Sequence, residues 1–256
     1  MYDLDERIAF VTGAASGIGR AIALRLAREG CHVGLMDTAR AGLTETATEI
    51  ESLGRGTKLA VADVSDRPAV DRAVATLVEA LGTADILVNS AGILRVGAML
   101  DQPYEDFARQ FRVNVDGAFH VSQAVVPAMV AKGRGAVVNL SSWLGKKGMK
   151  LYGGYAASKF AVIGMTQALA LEVASSGVRV NALCPGLIVE TGMRDQAEAL
   201  HRSLGLPTAA ERVSTIPRGR LGKPDDIARV AAFLVSDEAD FMTGQAVNVT
   251  GGFWLN

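Results

Sequence analysis

Apolar residues along the chain come in two rhythms. Short unbroken runs, such as Ile8-Ala-Phe-Val-Thr12, alternate with longer stretches where apolar side chains recur every three or four positions. The short runs read as strands covered on both faces and the longer stretches as amphipathic helices. The pattern predicts strands over 8–12, 32–36, 58–62, 86–88, 136–140, 179–183 and 246–249. It predicts helices over 18–28, 43–53, 69–81, 113–131, 155–174 and 225–235. Strands that alternate with helices imply an α/β fold, a doubly wound parallel sheet with helices on both faces. No repeat, linker or low-complexity segment divides residues 1–256, so one domain is expected. Residues 190–220 break the rhythm, with Gly192, Gly205, Pro207, Pro217 and Gly219 around short helical stretches. That segment is expected to be a flexible lid over a substrate.

The first strand-to-helix junction reads Thr12-Gly13-Ala-Ala-Ser16-Gly17-Ile18-Gly19. Glycines here permit a tight turn and let backbone approach a pyrophosphate at the positive end of the helix. By itself a glycine triplet equally marks a structural turn. A strand before it and a helix after it favour a dinucleotide site and a Rossmann-type sheet. Asp37 closes the second strand 18 residues beyond Gly19. A carboxylate there can accept hydrogen bonds from both ribose hydroxyls and would repel a 2′-phosphate. Thr38 and Ala15 beside it are not basic, although Arg40 is close. NAD is therefore expected over NADP. Asp63-Val64 after the third strand either meets the adenine or begins a helix. Asn89-Ser90-Ala91-Gly92 after the fourth is small enough for the cofactor to pass closely. All these positions fall at carboxyl ends of strands, where such sheets bind ligands.

Tyr155 and Lys159 are four residues apart at the start of a predicted helix and share one face. Ser142 lies just past the fifth strand. A free tyrosine has a pKa of ~10. An ammonium ~4 Å away, at an effective dielectric near ~20, contributes ~4 kcal/mol, or about 3 pK units. That is the shift a general acid/base needs near neutrality. Alone, the pair equally fits an exposed helix face.

Composition narrows the function classes. Lys plus Arg total 26 and Asp plus Glu 27, so the chain lacks the basic field of a nucleic-acid binder. The acidic N-terminus is unlike a signal peptide, and no apolar run approaches the ~20 residues of a membrane span. Two distant cysteines and three scattered histidines suggest neither a disulfide framework nor a metal site, and a cytoplasmic location is expected.

Taken in order, Thr12-Gly13-x3-Gly17-x-Gly19, Asp63, Asn89-Ser-Ala-Gly92, Asn114, Ser142, Tyr155-x3-Lys159 and Pro185-Gly186 resemble the short-chain dehydrogenase/reductases over essentially the whole chain. The resemblance implies that Tyr155 exchanges a proton with the substrate oxygen and that Ser142 hydrogen-bonds it. Lys159 would bind the nicotinamide ribose and lower the Tyr155 pKa, and Asn114 would anchor a water linking Lys159 to solvent. Pro185, Gly186 and Ile188 would border the nicotinamide, with Thr191 near its carboxamide. The chain departs from the family pattern at Ser90, which is usually Asn, and at Thr250-Gly-Gly, where Asp-Gly-Gly is common. Thr191 also falls one residue later than usual after the proline. The resemblance further implies a homotetramer, with helices 113–131 and 155–174 pairing across one interface.

The expected reaction moves a hydride between NAD(H) and a secondary alcohol or ketone. Leu94, Arg95, Trp143, Leu144, Tyr152, Leu187, Val189 and Met193 are the candidate substrate-lining residues. Lys146, Lys147 and Lys150 either attract an anionic substrate or belong to a solvated or subunit-facing loop. A sugar or polyol is the leading substrate class. A 3-oxoacyl or hydroxysteroid substrate is the alternative, and a catalytically silent cofactor-binding regulator is the non-enzymatic one.

Overall fold

Each central strand divides its side chains between two cores. In β1 (Ile8–Thr12), Ala9 and Val11 pack into one core and Phe10 into the other. In β4 (Ile86–Asn89), Ile86 and Val88 face one side and Leu87 the other. In β5 (Gly135–Leu140), Ala136, Val138 and Leu140 oppose Val137. Because side chains alternate along a strand, a run apolar at every position must be covered on both faces. The computed structural model describes residue 2 and residues 4–256 and has this arrangement.

With β2 (His32–Asp37), β3 (Thr57–Val61), β6 (Val178–Pro185) and β7 (Ala246–Val249), the strands form one seven-stranded sheet. All pairings are parallel, in the order β3-β2-β1-β4-β5-β6-β7. One face is covered by α1 (Gly17–Arg28), α2 (Arg40–Ser52) and α8 (Pro224–Val235). The other is covered by α3 (Arg67–Leu81), α5 (Gly117–Lys132) and α6 (Gly153–Val173). The chain order reverses between β1 and β4, and a doubly wound sheet opens its binding crevice at that switch point.

Three features differ from the sequence expectation. A short helix, α4 (Tyr104–Phe111), precedes the predicted 113–131 helix. That helix itself begins with a widened π turn, Arg112–Asp116, before α5. Such insertions cluster at functional sites because they displace one residue from the regular ladder. Here the turn carries Asn114. Finally, the irregular 190–220 segment contains a three-turn helix, α7 (Gly192–Ser203), capped by Thr191, whose hydroxyl accepts from Arg194 N–H at 3.2 Å.

Candidate active site

One cleft of about 470 Å³ runs across the carboxyl ends of the strands and joins the two groups of residues singled out by sequence. Gly13, Ser16, Gly17, Ile18 and Gly19 line one end together with Asp37, Asp63, Val64, Ala91 and Gly92. Ser142, Trp143, Leu144, Tyr152, Tyr155 and Lys159 line the other, with Pro185, Gly186, Ile188, Thr191 and Met193 beside them. Leu94 closes the near side.

The first loop is shaped for close approach. Gly13 has φ +67°, and a Cβ there would lie 2.9 Å from Ala91 Cα. A Cβ at Gly19 would collide with the Gly13 carbonyl oxygen. Thr12 ties this loop to the next: its hydroxyl accepts from Ser90 N–H at 3.0 Å and Ala91 N–H at 3.1 Å. Ser16, the N-cap residue of α1, makes no side-chain cap, and the first turn carries no acidic residue. Backbone N–H groups therefore face the cleft at the positive end of a helix dipole, a ready site for a diphosphate. Asp37 is fixed by backbone, Oδ2 accepting from Ala15 N–H at 3.1 Å and Oδ1 from Ala39 N–H at 3.0 Å. Each oxygen keeps capacity for a ribose hydroxyl. Cradle, uncapped helix and carboxylate fit a dinucleotide.

Thr191 reaches the cleft despite its late position: its Cγ2 would lie 3.4 Å from a Cβ at Gly17, so it faces the glycine loop. Other expected residues stand behind the wall. Asn89 donates to Ser122 Oγ at 3.1 Å and to Asn139 Oδ1 at 2.9 Å. It braces β4 against β5 instead of touching the cleft. The Asn114 amide accepts from Ile93 N–H at 2.8 Å and donates to Ile93 O and to Ser158 Oγ, both at 3.0 Å. It sews the β4 loop to α6, beside the amine of Lys159. A Cβ on Gly92 would lie 3.2 Å from Asn114 Oδ1 and 3.5 Å from Lys159 Nζ.

Several substrate candidates point elsewhere. Arg95 turns to Asp106 and to the Leu94 carbonyl, and Leu187 is buried beneath the surface. Val189, too, is absent from the cleft lining. The loop lysines also face away. Lys146 donates to Ala246 O at 2.6 Å, and Lys147 lies 4.5 Å over the Trp254 ring. Lys150 lines a separate apolar groove with Met99, Met149 and Phe160. Backbone and aromatic partners on β7 and the C-terminal tail thus claim the charges that the sequence offered for an anion. What the sequence reading missed is Arg194, which enters the cleft from the first turn of α7, and Arg109 on α4. An i+3 arginine behind a Thr helix cap was the available signal for the first.

Tyr155 and Lys159 share the buried face of α6, 8% and 4% exposed. The amine donates to Leu140 O at 2.7 Å and sits 5.7 Å from the centre of the Tyr155 ring. Burial pushes the Tyr155 hydroxyl up to about 12, against weaker downward pulls from a Ser142 hydrogen bond and the Arg194 charge. Burial pulls Lys159 down to about 8. Burial thus opposes the acidifying pull expected of the lysine ammonium. In the cofactor-free site desolvation dominates both groups, and it is the lysine that gives up its proton first.

Relatives share this chain from end to end. A family profile described as enoyl-(acyl carrier protein) reductase matches residues 13–254. The 3-oxoacyl-(acyl-carrier-protein) reductase of Thermotoga maritima is 40% identical over 249 residues, 97% of this chain and 98% of that protein. A short-chain dehydrogenase/reductase of Armillaria gallica is 42% identical over 252 residues, covering 96% and 95% of the two chains. Among solved structures, an NAD+-bound xylitol dehydrogenase superposes with a TM-score of 0.93 at 35% identity, covering 97% of this chain and 99% of that one. Likeness of this extent, on a chain that keeps the tyrosine, the lysine and the glycine cradle in one cleft, leaves a single assignment: the protein belongs to the short-chain dehydrogenase/reductase family of oxidoreductases, which bind nicotinamide cofactors.

Proposed function

We propose that the protein is an NAD-dependent dehydrogenase that interconverts a secondary alcohol and its ketone. The observation that carries this reading is the single cleft: a dinucleotide cradle at one end, and Ser142, Tyr155 and Lys159 at the other. A nicotinamide ring bound there supplies the hydride acceptor in oxidation and the hydride donor in reduction. Ser142 Oγ accepts from Leu144 N–H at 3.1 Å and is hydrogen-bonded to Tyr155, and on binding it would turn its own donor to the substrate oxygen. Tyr155 takes the hydroxyl proton in oxidation and returns it in reduction. Lys159 gives the pair a place to store that proton and supplies a donor for the cofactor ribose. Asn114 fixes the loop that packs against the Lys159 amine, and through its turn it would hold the water that connects that amine to solvent.

Asp37 supports NAD over NADP, because a carboxylate at the end of β2 would accept from ribose hydroxyls and repel a 2′-phosphate. The one-turn spacing of Tyr155 and Lys159 favours carbonyl reduction over enoyl reduction. A full set of Asn114, Ser142, Tyr155 and Lys159 weighs against a silent cofactor-binding regulator. The polyol and 3-oxoacyl relatives leave the substrate between a polar alcohol and an acyl ketone. We place the enzyme in the cytoplasm, where buried, free Cys31 and Cys184 stay reduced. Exposed Phe119 on α5 and Phe160 and Leu171 on α6 support self-association as a tetramer through these helices.

The test is an NADH absorbance screen of alcohols and ketones in both directions, beside Tyr155→Phe. Turnover by the native protein and none by the variant, with NADH still bound, is the expected result. A variant that keeps turnover removes Tyr155 from the chemistry.

A further inference from the structure

The substrate end of the cleft is mostly apolar. Trp143, Leu144, Tyr152, Tyr155 and Ala156 form one buried cluster, with Leu94 and Met193 packed against it. Its polar groups are largely committed. Tyr152 Oη lies 2.5 Å from His201 Nε2, and His201 Nδ1 lies 2.8 Å from Pro207 O. A neutral His201 must donate from Nδ1 to that carbonyl, so Nε2 accepts and Tyr152 spends its proton on it.

Arg194 is different. It lines the cleft with a side chain only 17% exposed, yet its contacts are at the limit of hydrogen bonding. Nε is 3.4 Å from Ile188 O and Nη1 is 3.5 Å from Glu198 Oε1. Glu198 is held more firmly by Ala209 N–H, at 3.1 and 3.0 Å to its two oxygens. Among the described residues nothing takes a hydrogen bond from Arg194 Nη2. Arg212 adds a second guanidinium, half-buried, whose Nε is enclosed without a partner. Its charge and that of Arg194 both act on Tyr152, as does the opposing charge of Glu198. Two partly buried cations therefore share one carboxylate, and a guanidinium with only long contacts keeps donor capacity for another anion. One further anion would balance the group, and a planar fork suits a carboxylate.

We propose that Arg194 binds a carboxylate of the substrate, so that the enzyme acts on a hydroxy or oxo acid with an apolar body. The inference rests on the dehydrogenase reading for its reaction and on Arg194 for its ligand. It returns an anionic substrate to the picture through a residue other than the loop lysines, and it gives α7 a reason to close: the acid brings its own counter-ion to the lid.

Binding tests it without turnover. NADH-loaded Tyr155→Phe and Tyr155→Phe/Arg194→Met are titrated calorimetrically with 3-oxohexanoate, 4-oxopentanoate and 4-oxo-4-phenylbutanoate, each beside its methyl ester. Tyr155→Phe/Arg109→Met serves as the second comparison. The expected result is that at least one acid binds Tyr155→Phe better than its ester by about 30-fold or more, and that Arg194→Met brings the ratio close to one. Tyr155→Phe/Arg194→Lys restores part of the preference, because a point charge replaces a fork. An equal ratio with and without Arg194, a loss on Arg109→Met alone, or no acid bound at all overturns the proposal. Arg194-dependent binding combined with no turnover of the same acids by the native enzyme sinks the dehydrogenase reading and leaves the anion site standing.

Discussion

Replacing Lys159 with Met tests how the site handles protons. Burial pulls the Lys159 amine down to about 8 and pushes the Tyr155 hydroxyl up to about 12. Lys159 lies one helical turn from Tyr155, so the first proton to leave the pair is the amine's, near 8. Above that pH the pair can receive the proton that a substrate alcohol must lose. Oxidation, measured as kcat/KM with saturating NAD, should rise with pH and level off above about 8. Methionine keeps the apolar volume but removes the vacancy. The proton must then come from Tyr155 itself, which burial holds to about 12. Four decades in proton affinity, at 1.36 kcal/mol each, come to about 5 kcal/mol. At pH 8 the variant should lose up to ~10⁴-fold in oxidation, and its rate should keep climbing through pH 10 without a plateau. Saturating cofactor removes any contribution from weaker ribose binding. A plateau at the native position, with the loss confined to the KM for NAD, would refute the reasoning and reduce Lys159 to a cofactor ligand.

The same variant should be more stable than the native protein near pH 7. The folded pKa of Lys159 lies below its unfolded value of 10.5, so the unfolded chain binds more protons between 8 and 10.5. The resulting penalty is complete below 8 and absent above 10.5, so urea melts should show Lys159→Met gaining ~1–3 kcal/mol at pH 7 and losing that advantage as the pH approaches 10.5. Asp37→Asn keeps an acceptor for the ribose and an oxygen for one backbone N–H but loses the charge. The kcat/KM ratio of NADP to NAD should rise ~10–10³-fold, consistent with one charge ~4 Å away at an intermediate dielectric, and an unchanged ratio would remove Asp37 as the discriminator. Gly19→Ala drives a Cβ into the Gly13 carbonyl, so fluorescence titration should find NADH binding lost while circular dichroism still reports the sheet and helices; normal affinity would mean that the loop can shift aside.

How much of this was legible in the sequence depended on the kind of signal. Strands such as Ile8–Thr12 and Ile86–Asn89 announce themselves because burial on both faces forces apolar residues at every position. Their carboxyl ends therefore located the cofactor cleft before any coordinates. The π turn at Arg112–Asp116 left no trace in periodicity, since one extra residue per turn is invisible in a helix already apolar on several faces. The α4 helix was lost for another reason: Tyr104–Phe111 is short and half polar, and only Gln110 is buried. Charge was left undecided where its partner came from far along the chain. Lys146 sits beside Ser142 in sequence, but it is bound to Ala246, a hundred residues away, and Lys147 to Trp254. Arg194 stood in a segment read as a flexible lid, so its direction could not be inferred. Only the helix that caps on Thr191 turns it inward.

The acid–base order of the site follows from its enclosure. In water the two groups begin nearly matched, tyrosine at 10.0 and lysine at 10.5. Burial favours the neutral form of each, which moves them in opposite directions and makes the lysine the better acid. A surface pair would have gained little from its mutual attraction and would have been screened by salt. A buried pair instead carries an unfavourable ammonium at neutral pH, and that cost is the driving force for giving up a proton when chemistry calls for a vacancy. Arg194 extends this logic to the substrate. Its charge already pulls the Tyr155 hydroxyl downward, and an arriving carboxylate would neutralise that pull. Binding an acid therefore raises the proton affinity of Tyr155, which leaves less phenolate to accept a proton in oxidation and makes the hydroxyl a weaker donor in reduction. For a substrate held by Arg194, the pH at which oxidation levels off should lie higher with the acid than with its methyl ester, and identical profiles would contradict this coupling.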